Sequence, residues 1–180
     1  MVVDVGQAAR AGHNRPGSAA ALAACAVGLA YAGISAYWAS GGTWLLSTVG
    51  ASLARPGGPG PVAVAVVGVW AAVVAKVLAA LVPLVVVRAM FEGGWARRAS
   101  VLAWIETIVL VVYGFTWSAT EILIEIFSSP PASERRAYAW HAYLWDPWFL
   151  LWGLLAATAL LRRRTGARTR SHRPREPAGM

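Results

Sequence analysis

Residues 62–87 read VAVAVVGVWAAVVAKVLAALVPLVVV, an apolar run interrupted by one charge, Lys76. A bilayer's hydrocarbon core is about 30 Å thick, and a helix rising 1.5 Å per residue needs about 20 residues to cross it. The run is long enough, and residues 18–38, 101–120 and 139–161 form three more of comparable length. Four such runs in 180 residues leave little chain for a water-soluble domain. The expected fold is all-α: four transmembrane helices in an antiparallel up-down bundle over 18–162. Polar segments rich in Gly, Pro and Arg flank it at 1–17 and 163–180 and are expected to be disordered.

Composition agrees. Hydrophobic residues make up 58% of the chain and charged ones 13%, against roughly 45–50% and 25% in soluble domains. The net charge of +8 does not point to nucleic acid, because the basic residues border the apolar runs. Arg10 and Arg15 precede the first run; Arg88, Arg97 and Arg98 separate the second from the third. Arg162, Arg163, Arg164, Arg168, Arg170, Arg173 and Arg175 follow the fourth. The opposite side carries only Arg55, Arg135 and Arg136. Short loops rich in Lys and Arg stay in the cytoplasm, so both termini are expected inside. One lysine against 15 arginines, with abundant Ala, Gly and Val, fits a GC-rich bacterial genome and hence a bacterial inner membrane. The Arg-rich tail is then expected to meet anionic lipid headgroups, at about 1 kcal/mol per basic residue.

The first run carries a stripe of small residues at four-residue spacing: Ala20, Ala24, Gly28, Ala32, Ala36 and Ser40. Small residues let helices approach closely in lipid, where association rests on van der Waals packing. An intramolecular packing face is expected, with a homodimer face as the alternative. Gly41 and Gly42 should end this helix. Pro83 should kink the second, and the fourth should begin near Ala137 and bend at Asp146 and Pro147. Cys25, the only cysteine, falls mid-membrane and is expected to be a small buried residue.

Charges inside a bilayer cost about 2.5–3.5 kcal/mol each on insertion scales and mark candidate sites. Lys76 and Glu106 are two such charges, and an ion pair between neighbouring helices would reduce both costs. Glu106 shares a helical face with Tyr113, Trp117, Thr120 and Glu121. A second group gathers at the outer face: Trp38, Gly41, Gly42 and Trp44 at the end of the first run, and His141, Trp145, Asp146 and Trp148 in the fourth. Trp and Tyr favour membrane interfaces, but an Asp at the lipid boundary requires partners. Asp146 is expected to meet the turn at 40–44, with His141 facing the same recess. The sequence shows no H-E-x-x-H, G-x-S-x-G, phosphate loop or Cys/His ligand set, so neither cofactor nor metal is expected.

The strings YWASGGTW (37–44) and LWDPWFLLWG (144–153) resemble signature segments of a bacterial family of small four-helix membrane proteins whose function is unknown. The resemblance spans about residues 20–162; it implies the four-span architecture and no activity. The leading expectation is a structural or partner-binding membrane module. An oligomeric transporter or channel subunit and a membrane enzyme with an outer-face site are the alternatives.

Overall fold

Packing at one end of the molecule reveals the threading. The computed structural model describes residues 17–49, 62–128 and 131–171. Among these, α1 spans Ser18–Ala39, α2 Val62–Val87, α3 Gly93–Phe127, α4 Ala132–Trp140 and α5 Asp146–Ser171. A 3-10 turn at Leu46–Thr48 follows α1, and a π-helical turn at His141–Trp145 joins α4 to α5. Ala20 and Ala21 at the start of α1 pack on Val87 at the end of α2 and on Ala159, near the end of the fourth apolar run. Val86, Ala103 and Leu160 form a cluster in which the start of α3 meets the same two ends. Chain direction therefore alternates from helix to helix. The start of α1 and the end of the fourth span lie at the same end of an antiparallel bundle. Four helical segments are long and apolar enough to cross a membrane.

The small stripe of α1 is an intramolecular face. Ala20, Ala24, Gly28 and Ala32 are all buried. A Cβ on Gly28 would sit 2.7 Å from Cε2 of Trp152 and 2.8 Å from the Ala80 Cβ. Glycine here lets the Trp152 ring lie against the α1 backbone, and Ala24, Ala80, Leu110 and Ala156 complete that layer. Cys25 is buried, as its position suggests.

α1 ends in a Schellman arrangement. The Gly42 amide donates to the Tyr37 carbonyl at 2.9 Å and the Gly41 amide to the Trp38 carbonyl at 3.0 Å, with Gly41 at φ 92°. The left-handed conformation at Gly41 is why a glycine stands there. The chain then turns back through the 3-10 turn, and this return brings Thr48 into the bundle.

Three boundaries differ from the sequence expectations. α3 has 35 residues, extending past 101–120 at both ends. The extension 121–127, EILIEIF, is largely apolar and only two glutamates interrupt it, while 95–100, WARRAS, is helix-compatible although it carries two arginines; charge within a flank does not end a helix. For the same reason α5 runs through Arg162, Arg163 and Arg164 to Ser171, where disorder was expected from 163. Arginine is a good helix former, and nothing between 162 and 171 breaks the backbone ladder. The fourth span starts at Ala132, and it meets the proline problem with a π turn. The segments 1–16 and 172–180, which include most of the expected disordered ends, lie outside the described residues.

Candidate functional site

The π turn assembles the site. In an α-helix, residues five apart point about 140° away from each other, so His141 and Asp146 would face different ways. Pro147 has no amide to donate and its ring crowds the preceding turn. The ladder loosens just before it, so that the Asp146 amide bonds the His141 carbonyl in an i→i+5 turn. That register lays residues five apart over each other, and π turns of this kind recur at functional sites. His141 Nδ1 lies 3.3 Å from Asp146 Oδ2.

Glu121 supplies the third group. The buried face of α3 is Ala103, Thr107, Leu110, Gly114, Ser118 and Glu121, at spacings of three or four. This face packs on α5 through glycines. A Cβ on Gly114 would meet the backbone of Leu150 and lie 2.8 Å from the Asp146 carbonyl. A Cβ on Gly153 would lie 2.9 Å from the Val111 amide. The resulting backbone approach carries Glu121 to the recess, where its Oε1 is 3.9 Å from His141 Nδ1. One ligand atom from each of Glu121, His141 and Asp146 lies within 4.8 Å of the others. Asp146 is 2% exposed and Glu121 8% exposed. Glu121 Oε2 is buried with no hydrogen-bond partner among the described residues. The Val49 backbone, in the returning loop after α1, also lies beside the imidazole.

Trp145 braces the recess from inside the bundle. It is 1% exposed; its indole donates to Thr48 Oγ1 at 3.1 Å, and Trp38 packs edge-on against it at 5.3 Å. Tyr31 extends the aromatic layer to Trp145, Trp148 and Phe149, and the Trp148 indole donates to the Val27 carbonyl. The outer aromatic cluster thus ties α1 to the fourth span, but through Trp38, Trp145 and Thr48. Among the described residues no hydrogen bond joins Asp146 to the turn at 40–44: its polar partners are His141 and Glu121. Gly41 and Gly42 serve the helix cap, and the Trp44 carbonyl accepts the Trp38 indole N–H at 2.8 Å.

Lys76 and Glu106 are not an ion pair. Lys76 donates to Ser35 Oγ at 3.0 Å and sits 5.0 Å from the Tyr31 ring centroid. Glu106 Oε1 is buried without a hydrogen-bond partner among the described residues. The ends of apolar runs do not fix the depth of either residue in the bundle, and α3 begins eight residues earlier than its run. Residues in separate environments should add independently. Lys76→Met and Glu106→Gln are expected to combine within about 0.5 kcal/mol of additivity. A folding double-mutant cycle in micelles measures this, and a coupling above about 1 kcal/mol would restore the pair.

Glu121 and Thr48 are the members that the sequence reading of this recess lacked. Glu121 was legible as facing the same side as Glu106 and Tyr113. Nothing in the sequence foretold that a π turn would bring His141 round to it.

The chain belongs to the family described as "Protein of unknown function (DUF3995)", whose family model matches residues 26–156. That interval contains both 37–44 and 144–153. No curated protein and no solved structure matches the chain.

Proposed function

We propose that this member of the DUF3995 family is a binding module of the bacterial inner membrane, with both termini cytoplasmic, and that its recess of Glu121, His141 and Asp146 receives a positively charged group from the outer side. The observation that carries this reading is a charge imbalance in a buried place. Two carboxyl groups face a single imidazole. Among the described residues, His141 is the only cationic partner within ion-pair distance of either one. Buried carboxyls require compensation, by a shared proton or by a cation, and a cation bound from outside would displace the proton and supply it.

The orientation follows from the distribution of arginine. The end of the bundle that holds Arg88, Arg97, Arg98 and Arg162 is opposite the recess, so a cytoplasmic basic end places the recess outward. At the cytoplasmic end, Arg163 donates to Ser100 Oγ at 3.1 Å and Arg164 lies over Trp104 at 4.6 Å. These contacts hold the basic end of α5 against α3, and anionic headgroups are its natural partners. A pore reading finds less support. Lys76 is engaged by Ser35 and Tyr31 and is not aligned with Glu106 along a path. The membrane-module reading needs neither residue to move.

Thermal unfolding of the full chain in detergent micelles, with a panel of divalent metals, guanidinium compounds and polyamines at constant ionic strength, tests the reading. At least one cation class is expected to raise the midpoint by several degrees, and Glu121→Gln should abolish the shift. A panel in which no cation stabilises the unaltered chain selectively would remove the binding reading and leave a structural module.

A further inference from the structure

We infer that Glu121, His141 and Asp146 form a binding site for one first-row divalent metal ion of the zinc type, held by His141 Nδ1 and one oxygen from each carboxylate. The inference deepens the proposed cation-binding role and rests on it.

Geometry is the first support. Zn–N and Zn–O bonds are about 2.0–2.2 Å, so two ligands of a tetrahedral ion lie roughly 3.4 Å apart. His141 Nδ1 and Asp146 Oδ2 are already 3.3 Å apart. His141 Nδ1 and Glu121 Oε1 are 3.9 Å apart, and half an ångström of side-chain adjustment closes that gap. A direct hydrogen bond explains the arrangement less well. Charge-assisted N–H···O bonds run about 2.7–2.9 Å, shorter than either distance. A single Nδ1–H cannot satisfy two carboxylates at once, so without an ion the two carboxyls must share a proton, whereas a metal ion replaces that proton and engages all three groups together.

The second support is the unsatisfied oxygen. Glu121 is 8% exposed as a residue and 11% exposed in its side chain, and its Oε2 accepts no hydrogen bond from a nitrogen or hydroxyl donor among the described residues; its polar neighbours are the Asp146 carboxyl and His141. A buried acceptor left unpaired costs about 1–3 kcal/mol. Rotation of this carboxylate onto an ion removes that cost.

The surroundings of the ring are the third. Metal-bound histidines commonly hydrogen-bond a backbone carbonyl through their second nitrogen, which fixes the tautomer and aims the first. The Val49 backbone lies beside the His141 ring, where it can serve the second nitrogen while Nδ1 faces the carboxylates. Trp145, wedged between Thr48 and Trp38, holds the backbone between the two ligands of the fourth span. An entry route exists, because the His141 side chain is 31% exposed while both carboxylates are buried. One nitrogen and two oxygens suit a borderline ion better than a hard one: magnesium prefers all-oxygen octahedral sites and sheds water reluctantly. Three protein ligands leave a coordination position for water or a partner's donor atom.

The experiment uses the full chain in micelles after chelator treatment. Calorimetric titration with Zn2+ should give one site per chain, and Mg2+ at the same concentration should not compete. Glu121→Gln, close in shape to the native residue, should weaken Zn2+ binding by at least about 100-fold, beyond the 10–100-fold typical of outer-shell losses. Acylation of histidines in the unaltered chain gives a second readout that needs no variant. Zn2+ should protect His141 and leave His13 and His172 reactive. Absence of a Zn2+ site, or a site indifferent to Glu121→Gln with His141 unprotected, overturns the inference. If an organic cation still stabilises the chain in that case, the cation-binding role survives without the metal. If no cation does, both fall.

Discussion

Gly114→Ala should lose on the order of 3 kcal/mol of folding stability, a large effect for one added methyl group. Overpacking is mild when a flexible side-chain end can move aside. Here the new Cβ meets the backbone of Leu150 and the Asp146 carbonyl, and neither can yield without parting α3 from α5. That separation also withdraws Glu121 from His141 and Asp146, since all three depend on the same helix approach. Gly33→Ala is the matched control. It lies on α1 with no heavy atom within 4 Å of the position a Cβ would take. Replacing a helical glycine by alanine there should be neutral or stabilising by about 0.5–1 kcal/mol. Unfolding midpoints in micelles should therefore move in opposite directions. Equal midpoints for the two variants would mean that the close α3–α5 contact does not exist.

The fold was legible because lipid imposes a simple code. A span must satisfy its own backbone and present apolar side chains, so four runs announced four helices, and small residues on the first announced its packing face. The helix ends were less legible. Hydropathy reports where a helix leaves the hydrocarbon, whereas Arg163 and Arg97 are helical well beyond that point. Site residues were legible one at a time: His141, Asp146 and Trp145 stood out as polar or amphipathic groups in an apolar context. Their partners were legible only in part: His141 and Asp146 were expected in one recess, and they lie 3.3 Å apart, but Glu121 and Thr48 were not expected there. The pairing expected for Lys76 with Glu106 assumed helix registers that the apolar runs did not fix. Ser35, a small hydroxyl one turn beyond Tyr31 on α1, takes the lysine instead. Placing Asp146 against the turn at 40–44 rested on a bend at Asp146 and Pro147 whose form the sequence does not specify. The local change to i→i+5 bonding redirected Asp146 toward His141 and Glu121, and periodicity alone carries no trace of such a change.

Asp146 itself provides the second large effect. Asp146→Leu is expected to cost about 3 kcal/mol or more, because it removes a buried partner of His141 and places an apolar group against Glu121. Asp146→Asn retains the volume and one acceptor oxygen for the imidazole, so it should cost about 1 kcal/mol. The backbone is unaltered in both variants, including the i→i+5 bond to His141 and the carbonyl beside Gly114. The difference between them therefore isolates the side chain. Measured in the presence of chelator, that difference is independent of any bound ion. The comparison also separates this site from an aromatic belt at the membrane interface. A belt tolerates leucine at least as well as asparagine, since both meet lipid, and the apolar residue is the better matched. In the buried recess the order reverses, with asparagine the milder change. Leucine proving equal to or better than asparagine would place Asp146 in contact with lipid and dissolve the cluster with it.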